Sequence, residues 1–340
     1  MKPGLEERYS RQVLFPPLGG RGQQRLADSR VAIVGCGATG SALASLLARS
    51  GVGYLRIIDR DYVEPSNLQR QTLFDETDAA DSVPKAVAAS RNIRKFNSSV
   101  AAEPHASDLV PQNVERLLSG VQLILDGTDN FETRYLVNDY AVKNSLPWIY
   151  LGAVASRALT MTIVPGETAC LACIFPEPPR GAGETCETAG ILNSAVNFAA
   201  SMAATEALKL LAGCRQELRR TLAAYDLWTN QWTEISAARP VADCRTCVQR
   251  EFPHLSGAAR PHITLCGRNS VQIHEHDRPL NLRDLASRLE AHGSVRRTDF
   301  ILKFSKEPYE MTLFPDGRAI IKGTSDAALA RSLYARYIGN

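Results

Sequence analysis

The stretch "VAIVGCGATG", residues 31–40, narrows the fold more than any other. An apolar run ends in glycines, and "SALASLLARSGVG" continues with small and aliphatic residues at helical spacing before stopping on glycines again. That order predicts a strand, a tight loop and a helix. Gly35, Gly37 and Gly40 give the pattern GxGxxG, and Asp59 comes about twenty residues on, at the end of the apolar stretch "YLRIID". Glycines there let a backbone approach a phosphate at the helix N-terminus, and the carboxylate can accept hydrogen bonds from ribose hydroxyls. The same residues serve NAD and ATP alike, and glycines can also do no more than pack a helix on a strand.

A third buried strand, "VQLILDGTDN", ends in acidic and amide residues, where parallel sheets bind ligands. "PKAVAASRNIRKFN" reads as a helix with Pro84 at its first position, and "FETRYLVNDYAVKNSL" as another with apolar and charged faces. The first half is therefore α/β, a doubly wound, Rossmann-like nucleotide-binding sheet. "RALTMTIVPGETACLACIF" and "TLAAYDLWTNQWTEISA" look like hairpins on either side of the helix "NSAVNFAASMAATEALKLLAG", and predict an antiparallel extension of that sheet. "FPHLSGAARPH" marks a boundary near residue 255. The expected domains are 1–255 and a small α+β domain over 260–340, with a strand in "ITLCGRNSVQIH", a helix in "NLRDLASRLEAHG", strands around "FPDGRAIIKG" and a last helix in "SDAALARSLYARYIG".

The residues after the glycine loop separate the two cofactors. Hydride transfer needs no cation over the phosphates, whereas nucleotidyl transfer builds negative charge that Arg and Mg²⁺ stabilise. In "DRDYVEPSNLQRQ", Asn67 and Arg70 suit the second task. Lys85 stands near the start of the next helix, and Asp129 with Asn130 lies just past the third strand, where a carboxylate could hold Mg²⁺. Arg11 in "RYSRQ" adds a cation. Each alone reads as a solvated surface residue; together, after strand ends and loops, they read as a triphosphate site.

The totals exclude other classes. Thirty-nine basic against 36 acidic residues leave a net charge of +3, with no tract of the kind that binds nucleic acid or anionic lipid. No run approaches the ~20 apolar residues of a membrane span, and "MKPGLEERYSRQ" carries no leader pattern, so a cytoplasmic location is expected. Of eight Cys, four form two CxxC pairs, Cys170 with Cys173 and Cys244 with Cys247. Two thiolates on each of two turns make a closed, structural four-cysteine zinc site; the rival, redox chemistry by one pair, lacks the helix N-terminus of a thioredoxin-like unit.

"RYSRQ", the glycine loop, "SNLQRQ", Lys85, "DGTDN", both CxxC pairs and "TCETAG", over residues 5–250, resemble the ThiF/MoeB/HesA group of ubiquitin-activating-like adenylyltransferases. Those enzymes activate the C-terminal Gly-Gly of ubiquitin-fold sulfur-carrier proteins. The resemblance implies that Gly37, Asp59, Ser66, Asn67, Leu68, Gln69, Arg70, Lys85, Asp129 and Asn130 bind ATP, and that Arg11 reaches the phosphates from the other subunit of a homodimer. One departure is "GCGATG", where Ala38 stands in place of a further glycine; a methyl is tolerable there if φ stays negative. Cys186, on a glycine-bearing segment before the long helix, resembles a nucleophile or sulfur-relay residue, able to capture the carrier as a thioester or acyl disulfide. Its rival reading is an inert loop cysteine. No general base is needed, since a carboxylate is ionised at neutral pH, and His105 and His254 read as ordinary surface residues.

The implied reaction is adenylation of a ThiS- or MoaD-type carrier, serving thiamin thiazole or molybdopterin synthesis, with ATP, Mg²⁺ and Zn²⁺ as cofactors and a cysteine desulfurase as a further partner. The small C-terminal domain resembles one appended to some bacterial ThiF-like enzymes, which favours the thiazole side. An NAD-dependent oxidoreductase and a catalytically idle scaffold are the alternatives.

Overall fold

A computed structural model of the chain describes residues 5–177, 189–256, 263–265, 269–273 and 279–339. They divide into two compact units, Met1–Ala258 and Ala259–Asn340. The first begins with helices α1 (Leu5–Val13) and α2 (Gly19–Ala27), then β1 (Arg30–Val34), α3 (Ala38–Ser50) and β2 (Tyr54–Ile58). Next come α4 (Glu76–Ala80), α5 (Lys85–Phe96), β3 (Ala101–His105), α6 (Val114–Leu118), β4 (Leu123–Asp126), α7 (Phe131–Lys143) and β5 (Trp148–Val154). It finishes with β6 (Arg157–Ile163), α8 (Leu171–Ile174), α9 (Asn193–Ala212), β7 (Thr221–Asp226) and β8 (Gln231–Ser236).

The eight strands lie in the order β3-β2-β1-β4-β5-β6-β7-β8. Pairing is parallel from β3 to β5 and antiparallel from β5 to β8, the doubly wound sheet with its antiparallel extension. One expected hairpin is differently built: in residues 157–175 only β6 is a strand, and its partner is the preceding β5, with Trp148 opposite Ile163 and Val154 opposite Arg157. The remainder of that stretch turns into α8 around its two cysteines. β3 carries no apolar run because it is an edge strand, half exposed, and Pro104, which has no N–H to give, sits on it.

Helix α9 lies along α3 and across β5 and β6. Ala195, Ala199, Ala200, Ala203 and Ala207 are fully buried there, as are Ala44, Leu47 and Ala48 of α3. These small residues let α9 pack closely on α3 and the sheet. At the far end of α3, α1 is tied down: Gln12 Nε2 donates to Ser50 O at 2.8 Å, and Asn97 Nδ2 donates to Tyr9 Oη at 2.8 Å.

The second unit contains β9 (Ile263–Leu265), β10 (Ser270–Ile273), α10 (Leu282–Leu289), β11 (Ser294–Arg297), β12 (Leu302–Lys306), β13 (Tyr309–Leu313), β14 (Ala319–Lys322) and α11 (Ala327–Tyr337). Its antiparallel sheet runs β11-β12-β13-β14-β10-β9. Leu285, Leu289, Leu333 and Tyr337 of the two helices share one core with Val271, Phe304, Met311 and Ile321 of the strands. The expected single strand of residues 263–274 is an antiparallel pair, β9 with β10, and Asn269 takes the left-handed φ of 60° just before β10. Among the described residues, no helix is long and apolar enough to cross a membrane.

Candidate nucleotide site and cysteine cluster

The chain leaves β1 and β4 at neighbouring strand ends, the switch point at which an open parallel sheet forms a crevice. Three glycines close it. A Cβ on Gly40 would stand 2.0 Å from Gly35 O, one on Gly35 would stand 2.5 Å from Gly127 O, and one on Gly127 would stand 2.3 Å from Gly35 O. Their job is close backbone packing, and Gly127 is the member that motif reading missed. Gly37 differs: a Cβ there meets only Gln71 Nε2, at 4.0 Å. Gly37 is also the N-cap of α3 and offers no side-chain cap to the first N–H groups of the helix. Ala38 begins α3 and is absent from the positive-φ residues, so its methyl brings no backbone strain.

Asp59, at the end of β2, is buried; its Oδ2 accepts from Cys36 N at 2.5 Å and its Oδ1 from Asp61 N at 2.7 Å. Burial pushes its carboxyl up to about 6, against the pull of Lys85 and those two N–H groups. Lys85 opens α5 and is likewise buried, its Nζ 3.2 Å from Asp61 Oδ2. Burial works against its charge, but the carboxylates of Asp61 and Asp59, with Asp129 farther off, hold it above the ordinary lysine value. Asp61 was overlooked because one acidic residue at the end of β2 already satisfied the motif.

The "SNLQR" segment is one helical turn and then a bend. Asn67 is buried and closes the turn, Oδ1 accepting from Glu64 N at 3.2 Å and its carbonyl from Arg70 N at 3.1 Å. Ser66 and Gln69 are exposed and Leu68 partly so, while Arg70 Nη1 donates to Ser66 O at 2.8 Å. Asn67 therefore shapes the loop, and Ser66 and Arg70 are what it presents.

Past β4, Asp129 is exposed and next to Asn130, whose Oδ1 caps α7 by accepting from Thr133 N at 2.9 Å. The loop is fixed from beneath by a buried pair that no sequence motif marks: Arg134 Nε to Asp126 Oδ2 at 2.8 Å, Arg134 Nη2 to Thr128 O at 2.7 Å and to Leu151 O at 3.0 Å. Burial disfavours the guanidinium charge, yet Asp126 and its other neighbours keep it raised. Arg11 is not brought into this site. Its neighbours on α1 are tied to the C-terminal end of α3, and thirteen helical residues put that end roughly 20 Å from the glycine loop. Cys186, with "TCETAG" up to its Thr188, lies outside the described residues.

The four cysteines of the CxxC pairs form one group. Cys170 Sγ stands 3.8 Å from Cys173 Sγ and 3.6 Å from Cys244 Sγ, and Cys173 Sγ stands 3.4 Å from Cys247 Sγ. These are far beyond a disulfide bond and close to the ~3.8 Å edge of a tetrahedron with Zn–S bonds of about 2.3 Å. Val241 N also donates toward Cys173 Sγ at 3.5 Å. Helix α7 holds the surroundings: Asn138 Oδ1 accepts from Leu171 N and Asp139 Oδ2 from His254 N, each at 2.9 Å. His254 is no surface residue; it is half-buried with its ring stacked on Tyr135 at 5.0 Å.

Residues 9–246, which include the crevice and all but the last of the four cysteines, match the ThiF family. The chain belongs to that family. It is 44% identical over 336 residues to the sulfur carrier protein ThiS adenylyltransferase of Bacillus subtilis (strain 168), covering 98% of this chain and 99% of that protein. Over 240 residues it is 34% identical to the sulfur carrier protein adenylyltransferase of Thermus thermophilus, covering 68% and 88%. It is 36% identical over 244 residues to the adenylyltransferase and sulfurtransferase MOCS3 of Sus scrofa, and spans only 53% of that longer protein. A crystal structure of E. coli MccB with MccA-N7isoASN shares the fold, with a TM-score of 0.62 at 23% identity over 72% of this chain and 75% of the other.

In this ThiF-family protein, the two kinds of glycine should separate experimentally. Gly40→Ala forces a methyl against backbone and should cost about 3 kcal/mol in urea unfolding. Gly37→Ala, whose methyl meets no backbone, should cost at least about 1 kcal/mol less than that in the same measurement. Equal stability losses in the two variants would refute this division.

Proposed function

We propose that this protein adenylates the C-terminal Gly-Gly carboxylate of a ubiquitin-like sulfur-carrier protein at the expense of ATP. The relatives in Bacillus subtilis and Thermus thermophilus are named for that class of reaction. The observation that carries the reading to these residues is the uncapped α3 N-terminus beneath open space at Gly37, beside the buried Lys85 ammonium. A carboxylate oxygen of the carrier attacks the α-phosphorus, the α–β bridging P–O bond breaks, and pyrophosphate leaves. The nucleophile is already ionised, so these residues need only place it and disperse charge. The α3 amides and Lys85 take up charge on the phosphates, and Arg70, presented by the turn that Asn67 closes, reaches over them. Asp59 accepts from the ribose. Asp129 would hold Mg²⁺, which when bound neutralises the phosphates. The dehydrogenase alternative gives way to membership of the ThiF family.

The ThiS type of carrier is favoured because the Bacillus subtilis relative matches across both units. Sulfur would then come from a cysteine desulfurase. In the proposed homodimer Arg11, which lies roughly 20 Å from its own glycine loop, serves the site of the other chain. Zinc is the ion that suits four thiolates at these spacings and ties the turn after β6 to the segment after β8. The second unit, over 260–340, shows a small α+β core of its own and assists carrier docking.

Asp129→Ala should abolish carrier-dependent ATP–pyrophosphate exchange with the fold intact, and Arg11→Ala should do likewise. Mixing the two inactive proteins should restore activity, one sound site per hybrid dimer; confirmed hybrids without activity would end the idea of sharing. The protein should carry one zinc per chain by elemental analysis, and Cys244→Ser should lose it together with several kcal/mol of stability. A metal-free protein of unchanged Tm would reject the zinc assignment. Deleting the second unit should weaken carrier binding while sparing ATP binding, and an unchanged carrier Kd would leave that unit only a stabilising role.

A further inference from the structure

Gln71 closes the "SNLQRQ" segment; the contacts that the resemblance implies stop at Arg70, and the charges of the site do not require it. It is 97% buried, its relative exposure being 3%, in a loop whose other side chains are largely turned outward. Its backbone is used: Gln71 N donates to Asn67 O at 2.9 Å, and Phe74 N donates to Gln71 O at 3.2 Å. Its carboxamide is not. Oε1 has no hydrogen-bond partner among the described residues, an arrangement that costs about 1–3 kcal/mol when nothing repays it. Among the described residues, and leaving out Gly37's own chain neighbours, Nε2 is the one heavy atom within 4 Å of the space a Gly37 side chain would fill. A buried, unsatisfied amide thus borders the open space above the α3 N-terminus.

The chemistry of the amide limits what can satisfy it. Oε1 accepts only, and the phosphates of ATP carry acceptors only; the donors on the nucleotide are two ribose hydroxyls and the adenine amine. Gly37 comes directly after Cys36, whose N–H holds Asp59, so this face of the loop adjoins the sugar rather than the far edge of the base. A flip of the amide exchanges Oε1 and Nε2 but leaves one acceptor and two donors to be matched, and a ribose hydroxyl can both give and receive. We propose that Gln71 is a nucleotide-binding residue that reads the ribose: its amide oxygen accepts from one hydroxyl while its NH2 donates to a sugar or phosphate oxygen above Gly37. This rests on the ATP-dependent reading of the site. It makes the free protein carry an unpaired buried acceptor that ATP satisfies, which raises selectivity for ribonucleotide over deoxyribonucleotide.

The test is calorimetric titration of the full-length protein with Mg²⁺ and ATP, 2′-deoxy-ATP or 3′-deoxy-ATP, in the parent and in Gln71→Met, a near-isosteric change that deletes the amide. The parent should bind one of the two deoxy analogues about tenfold more weakly than ATP, the worth of one such hydrogen bond. Gln71→Met should bind ATP about tenfold more weakly and no longer distinguish it from that analogue, so the two losses do not add. The free variant should melt at the parent's Tm or above, since the unpaired acceptor is gone. ATP affinity within twofold of the parent, additive losses, a lower Tm or failure to fold would each overturn the proposal, the last two by assigning the amide to the fold. Carrier-dependent pyrophosphate exchange by the parent, run alongside, reports separately on the proposed function: its absence removes that reading, while exchange with an unaltered Gln71→Met affinity removes only this one.

Discussion

The contact of three bare backbones, Gly35 after β1, Gly40 in α3 and Gly127 after β4, governs the nucleotide end of this protein. Because a Cβ on any of the three would stand 2.0–2.5 Å from a carbonyl oxygen, the two neighbouring parallel strands and the helix come closer than side chains allow. That closeness sets the α3 N-terminus at the crevice between the ends of β1 and β4. It also fixes how the turns after β1 and β4 pass each other, next to the end of β2 where Asp59 accepts from Cys36 N. The half charge of a helix end acts within about one turn, and a loop held off by a methyl would lose much of it.

Helix α7 connects that end to the cysteine group. Its first turn is capped by Asn130, beside Asp129; one turn on, Arg134 locks the loop through Asp126; one turn further, Asn138 and Asp139 hold the segments that carry the cysteines. Arg134 is almost wholly buried, and removing one member of such a pair typically costs about 3–5 kcal/mol because its partner is left charged without compensation. The turns that carry the cysteines and the loop after β4 are therefore tied to one helix, which links the cysteine group to the crevice end of the sheet.

Much of this was legible from sequence, and the misses share a cause. The glycine loop, the run of strands, the four cysteines, Asp59 and Lys85 all announce themselves by spacing, since a close approach, a tetrahedral site and a strand end each demand a residue type at a set interval. β3 and β5 were missed: an edge strand need not be apolar, and the pairing of β6 depends on which strand precedes it. The polar residues of α7 looked like a solvated face, but Arg134, Asn138 and Asp139 are buried with partners distant in sequence. Gly127 and Asp61 escaped because a motif was already complete without them. Asn67 and Asn130, read as nucleotide contacts, are used as caps in this structure, a local role that the same residue types fill just as well.

Helix α3 shows why the site can be ready before ATP arrives. Its C-terminal end is fastened to α1 through Ser50, and the alanines of α9 lie along its length. It can neither withdraw nor tilt without opening a cavity, so its N-terminus, which has no side-chain cap, is held in place. Asp59, Asp61 and Lys85 crowd together at the same end of the sheet, and charges and donors fixed in advance in this way act most strongly where negative charge develops. The same fastening carries Arg11 away from its own crevice.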